Sequence, residues 1–241
     1  MTNKLFINST HAIGLSLLIL TSTVLTGCMS IHTAARMGNL GEVKKQLAWG
    51  VNPNTRTFWY LNTPLHGAAT YGRIRVVKLL LAKGADVNAG NEGSSTPLHY
   101  AARHGHTEVV KILLEHGADV TEKGTGCGMP LQWAAQNGQI EVAEILLAHG
   151  ADINQRGTDG WTALGAAVSN GQAEMVRYLL ARGANVNSRA SYGCTPLHSA
   201  AWRNNVKIGK ILLEHGADPT LECNGRKVSD KFIKAMQRQS Q

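Results

Sequence analysis

Three histidines, His66, His99 and His198, recur at multiples of 33 residues, so a row of imidazoles is the first candidate for chemistry, as a set of metal ligands. Their neighbours do not complete such a site. His104, His106 and Glu108 lie close together but lack the i, i+4 histidine pair of a metal-binding helix. His116, His149 and His215 each precede a glycine at a helix end, where the helix dipole favours a cation. The Gly124–Gly128 run leads into Met129-Pro130, not into the Lys-Ser/Thr start of a phosphate-cradling helix, and G-x-S-x-G and H-E-x-x-H are both missing. Nucleophile, base and orienting acid do not assemble anywhere. The sequence therefore predicts no catalytic residues, no metal and no cofactor.

The element that positions these histidines is a repeat. Thr63-Pro64-Leu65-His66 returns as Thr96-Pro97-Leu98-His99, Met129-Pro130-Leu131-Gln132, Thr162-Ala163-Leu164-Gly165 and Thr195-Pro196-Leu197-His198. A second block keeps step with it, from Gly84-Ala85-Asp86 to Gly216-Ala217-Asp218. A fixed period of this length marks a stacked solenoid, in which one unit cannot bury its own apolar face. Thr-Pro opens a helix, with Thr as N-cap and Pro at the first position. Paired alanines such as Ala68-Ala69 and Ala101-Ala102 keep that inner helix thin. A glycine ends it, and a second helix follows with an apolar stripe such as Val76, Val77, Leu79 and Leu80. The residues up to the next Thr-Pro form an extended finger.

These blocks resemble the ankyrin-repeat family from Ile31 to about Gln237, most fully at Ser95–Val120. The resemblance implies an all-α repeat solenoid of helix-turn-helix units with β-hairpin or extended fingers. Six helical pairs are counted, near 31–56, 57–90, 91–123, 124–156, 157–189 and 190–222, with a C-terminal cap at 223–241. The spacing from the first unit to the second is one residue longer, which places an insertion between Val51 and Thr63. In the family the histidine of the Thr-Pro-Leu-His block bonds to the backbone of the neighbouring finger, which accounts for the row without a metal.

Residues 1–27 stand apart, with Lys4 as the only charge and an apolar stretch from Ile13 to Leu25. That stretch is too short to span a bilayer, which takes ~20 apolar residues, and it fits the core of a secretory signal. Leu25-Thr26-Gly27-Cys28 resembles the bacterial lipoprotein signal. The resemblance implies cleavage before Cys28, acylation of that cysteine, and an anchor in the envelope. Met29 rather than Asp in the next place points to the outer membrane facing the periplasm. Only Met29 and Ser30 then separate lipid from solenoid, a tether of ~10 Å at most.

Without residues 1–27 the chain carries 23 basic and 16 acidic side chains. For an exported protein this balance favours an acidic protein partner or lipid headgroups over nucleic acid. Three cysteines besides Cys28 enter an oxidising compartment. Cys127 and Cys194 lie two repeats apart, roughly 20 Å, too far to bridge. Cys194 and Cys223 sit in neighbouring but offset units, and three free thiols are expected, with pairing of those two left open.

In ankyrin-like folds the fingers and the exposed side of the inner helices vary and bind protein. Mapped here, that pattern selects Trp59, Tyr60, Asn62 and Tyr71, then Arg103 and His104, Gln136 and Asn137, Trp161 and Asn170, and Tyr192, Trp202 and Arg203. These positions hold six of the ten Trp and Tyr residues, the types that dominate interface hot spots. Trp49, Tyr100, Trp133 and Tyr178 fall where packing explains them. The expectation is a monomeric, non-catalytic solenoid that binds a protein partner, acidic or toxin-like, along one concave face. A periplasmic immunity protein and an envelope scaffold or stress-protection factor remain open as its role, with a hydrolytic enzyme last.

Overall fold

The computed structural model describes residues 29–124 and 128–238. Their chain alternates inner and outer helices. The inner row is α1 (Ile31–Met37), α3 (Pro64–Thr70), α5 (Pro97–His104), α7 (Pro130–Gln136), α9 (Ala163–Ser169) and α11 (Pro196–Trp202). The outer row is α2 (Leu40–Ala48), α4 (Ile74–Ala82), α6 (Thr107–Glu115), α8 (Ile140–Ala148), α10 (Ala173–Ala181) and α12 (Val206–Glu214). Each inner helix packs on the next inner helix and, apart from α8 and α10, each outer helix packs on the next outer one, so two rows stack side by side. A last helix, α13 (Asp230–Arg238), closes the end of α12. Its Phe232 and Met236 are buried, and they lie where a side chain on Gly209 of α12 would be. The fingers form no named strand among the described residues; they hold isolated bridges at Gly124↔Gly128 and Cys223↔Arg226 and single backbone hydrogen bonds elsewhere.

The helices are short because each is punctuated at both ends. Thr63, Thr96 and Thr195 sit extended at the N-cap and close a reciprocal box with the histidine three residues on. Thin inner helices follow from the alanine pairs, of which Ala34-Ala35, Ala68-Ala69, Ala101-Ala102 and Ala134-Ala135 are wholly buried, while Leu65, Leu98, Leu131, Leu164 and Leu197 form the continuous core beneath them. Burying an aliphatic side chain of this size contributes roughly 2 kcal/mol, but only because the next repeat covers it.

Two ladders tie repeat to repeat. At the start of the outer helices, Arg73 donates to the Arg36 carbonyl at 2.9 Å, His106 to Thr70 at 2.9 Å and Gln172 to Gln136 at 3.3 Å. At their far end Asn54, Asn88 and Asn187 each donate to a glycine carbonyl one repeat on and accept the amide two residues beyond it. Between the third and fourth repeats this rung is missing: Thr121 occupies the place and bonds its own Asp119, and a cavity of about 90 Å³ opens beside it. The sequence reading passed over this asparagine ladder, although the recurring Asn two residues after Gly-Ala-Asp/Asn was its visible signal.

Candidate functional site

The site begins at the first finger. There the Thr57 amide donates to the Asn62 carbonyl at 2.9 Å, spanning one residue more than the equivalent Asn91–Ser95 closure. That is the insertion expected between Val51 and Thr63. Leu61 takes φ 52°, the left-handed turn that Ser94, Gly160 and Gly193 make at the same place in their fingers, a conformation that costs a non-glycine residue on the order of 1 kcal/mol. Arg56 braces the finger by donating to the Gly90 carbonyl at 2.6 Å, and Tyr60 accepts the Glu92 amide at 3.0 Å. Held in this way, the finger lifts Trp59, still 77% exposed, and Tyr60 above the inner helices.

Beneath them runs a groove of about 490 Å³. Its walls are Trp59, Tyr60 and Asn62 from the finger and Tyr71 at the end of α3; its floor includes His32, His66 and Tyr100 from three successive inner helices. The floor is rigid because its rings interlock. His66 meets Tyr100 edge-on at 5.9 Å, Tyr100 meets Trp133 at 5.5 Å, and Arg103 lies over the Trp133 ring at 5.5 Å. Asn91 donates to the Tyr100 hydroxyl at 2.9 Å and to the Asn62 side chain at 3.0 Å. Arg36 is the one charged side chain lining the groove.

The histidine row is structural. In each case Nδ1 accepts the amide of the N-cap threonine and Nε2–H donates to the next finger: His66 to Ser95 at 2.9 Å, His99 to Gly128 at 3.1 Å and His198 to Arg226 at 3.2 Å. Burial disfavours the charged ring, and pushes His66 and His99 down to about 4, so both are neutral at pH 7. Gln132 makes the same two bonds, accepting from the Met129 amide and donating to the Trp161 carbonyl at 2.7 Å. Among the described residues no group of His, Cys, Asp and Glu could hold a metal ion.

Three expectations change. Trp161 is no free anchor: it is half-buried, and its ring lies where a side chain on Gly165 would be. Gly165 stands where His66, His99, Gln132 and His198 stand in their repeats, and the indole covers the vacancy. Trp49 is not packed; it stays 66% exposed at the end of α2, with the Lys45 ammonium 4.6 Å from its ring centre. The free-thiol expectation fails for Cys194 and Cys223, which are disulfide-bonded with Cα atoms 4.3 Å apart. They are not offset. Cys194 stands at the end of one finger and Cys223 at the start of the next, the same register pair as Asn62 and Asn91. Cys28 and Cys127 lie outside the described residues.

The remaining candidates divide. Tyr192, 79% exposed, Trp202 and Arg203 stand open at the C-terminal end. Trp202 borders a second cavity, of about 500 Å³, which Arg226 and Lys227 make basic. Arg103 and His104 are exposed near the middle of the inner face. Asn137 and Asn170 are tied down by donating to carbonyls of their own helices, Trp133 and Ala166, and Gln136 is half-buried. The exposed aromatic and basic side chains thus gather at the two ends, each beside a cavity, with fewer between them.

Stacked helix pairs with a lined concave groove define a repeat scaffold for binding, and the comparisons agree. A family model described as ankyrin repeats matches three times, over residues 31–124, 89–157 and 131–223. The chain belongs to the ankyrin-repeat family. It superposes on the human ASB11 ankyrin repeat domain with a TM-score of 0.78 and 31% identity, over 87% of this chain and 97% of that one. It is also 41% identical over 59 residues to the ARF GTPase-activating protein Git of Drosophila melanogaster, a stretch covering 24% of this chain and only 8% of that protein. Ankyrin repeats are in general non-catalytic protein-interaction domains.

Proposed function

We propose that this protein is a lipid-anchored binding protein of the bacterial envelope, facing the periplasm from the outer membrane and holding a protein partner in the groove beneath its first finger. The observation that carries the reading is the concentration of exposed apolar side chains there. Of the ten large hydrophobic residues left exposed among those described, three, Trp59, Tyr60 and Tyr71, line this groove. Exposed patches of this kind mark interaction sites. The groove walls are aromatic and its lining cation is Arg36, which suits a segment with apolar side chains and an acidic group. The Cys194–Cys223 bridge supports export, since such bonds persist in oxidising compartments.

Two measurements test the two halves of this reading. Clickable fatty acid should label the wild-type protein and not Cys28→Ala; equal absence of label in both ends the lipoprotein reading. A photo-crosslinking amino acid at Trp59 should trap one partner in living cells, whereas the same probe at Lys111 on α6 should not. Identical adducts from both positions would remove the groove from the function. The identity of the trapped protein separates an immunity role, in which it is a secreted toxin, from a scaffold role.

A further inference from the structure

The end of the solenoid nearest Cys28 carries a second feature that the groove does not use. At interior junctions each repeat offers backbone groups to the one before it: Gly84 and Asp86 to Asn54, Glu92 to Tyr60. Their counterparts in the first unit and first finger are Gly50, Asn52 and Phe58, and among the described residues no repeat lies before them. Trp49 and Phe58 take positions that are exposed but polar in later repeats, at Lys83, His116 and His149 and at Glu92, so this end lacks the polar outer face usual for a capping repeat. It carries Trp49 and Phe58, the latter 86% exposed and meeting Trp59 edge-on at 5.1 Å. Phe58 does not line the groove. Lys44 and Lys45 are exposed on the same unit, with Lys45 over the Trp49 ring.

The chain also leaves the fold at this edge. Met29 is half-buried against the core, and its carbonyl accepts from the buried Gln46 amide of α2. Ser30 caps α1 by accepting the Thr33 amide. Residue 28 is therefore one peptide bond from a residue fixed on the first unit, with no slack between them.

We infer that this edge, with Trp49, Phe58, Lys44 and Lys45, is a docking surface for an anionic phospholipid bilayer. Trp is favoured at the membrane–water boundary, and lysines near the surface are drawn to anionic headgroups. With its first unit on the headgroups, the solenoid would project its last repeat about 50 Å outward, at 8–10 Å per repeat. The aromatic groove would open just above the lipid and the basic C-terminal cavity far from it. The inference rests on acylation of Cys28, and adds that the first unit touches lipid rather than swinging on its anchor.

The test uses the full acylated protein in phosphatidylethanolamine–phosphatidylglycerol vesicles with brominated acyl chains, reading tryptophan fluorescence. Brominated lipid should quench wild-type emission. Trp49→Phe should remove at least half of that quenching, Trp202→Phe none, and Phe58→Trp placed in the Trp49→Phe chain should restore it. A wild type that floats with the vesicles but is not quenched, or is quenched equally after Trp49→Phe, overturns the docking and leaves the anchor standing. A wild type that neither carries the acyl group nor floats overturns both. A detergent-solubilised dimer that Trp49→Ala with Phe58→Ala turns into a monomer would make this edge a self-interface and overturn the docking too.

Discussion

Between the second and third repeats, Asn91 donates to the Asn62 side chain across 3.0 Å; between the sixth repeat and the cap, the same two register positions are Cys194 and Cys223, joined covalently. The solenoid brings each pair together by the same step of 29 residues. Between them, at Ser95–Gly124 and Gly128–Gly157, a glycine takes the second place and leaves no side chain to pair. The contrast shows what each end requires. The N-terminal junction lies inside the stack, where Tyr100 and the first finger add bonds, so one hydrogen bond suffices. The C-terminal junction has only the short α13 beyond it. Terminal repeats open most readily, and a covalent link holds the last finger where Trp202 and the basic cavity need it. One end is lined by aromatic rings, the other is basic and stapled.

The comparison breaks most visibly under acid. The unfolded imidazoles titrate near 6.5, while His66 and His99 in the folded protein titrate at about 4. Above pH 6.5 both states are neutral and the full stability is present. As pH falls the unfolded chain binds protons first, so stability is lost between about 6.5 and 4, by about 3 kcal/mol per histidine at pH 4. Urea denaturation at pH 7 and pH 4.5 should show this loss, and His66→Gln with His99→Gln should flatten it, since Gln132 makes the same bonds as a non-titrating group. An unchanged slope in that variant would assign the acid sensitivity elsewhere.

Next in size is the staple. Cys194→Ser with Cys223→Ser should lower stability by about 3–4 kcal/mol, from the entropy of a loop of this length. Hydrogen exchange should place that loss in α12 and α13, with α3 and α5 unaffected. The converse experiment moves the staple: Asn62→Cys with Asn91→Cys should oxidise spontaneously, seen as a mass loss of two hydrogens, and raise stability by about 2–3 kcal/mol. If it stabilises the first finger but weakens partner binding, the N-terminal grip depends on its freedom to adapt.

The smallest effects should fall on the groove itself. Trp59→Ala or Tyr71→Ala should weaken the trapped partner by roughly 30-fold, about 2 kcal/mol, in titration calorimetry, while stability changes by less than about 0.5 kcal/mol. Trp161→Ala should do the reverse. It should leave binding intact and cost about 2 kcal/mol of stability, because its ring fills the place of a missing side chain on Gly165. Equal binding losses at Trp59 and Trp161 would return the grip to the whole face.

Much of this was legible in the residues alone. Thr-Pro starts a helix by local capping and a preset φ, glycine ends it, and alanine pairs let neighbours close in; all are short-range effects, so the 33-residue register was enough to specify the stack. The inserted residue before Thr63 was countable, and the backbone role of the histidine row was implied by the resemblance to the ankyrin family. What tertiary structure decided were relations between residues of different repeats. Trp161 and Trp202 occupy neighbouring places in the pattern, yet one ring turns down onto Gly165 and the other stays in solvent, because only the first has a vacant histidine position to fill. Trp49 looked like a packed helix residue, but it follows α2 at a place that is exposed in every later repeat as well, from Lys83 to His215. Cys194 and Cys223 looked offset in the linear count. Each finger folds back on itself at its base, Cys223 to Arg226 as Asn91 to Ser95, and that fold brings the end of one finger against the start of the next. Periodicity sets where each residue stands along the solenoid; which neighbours it meets across a junction depends on the stacked three-dimensional packing.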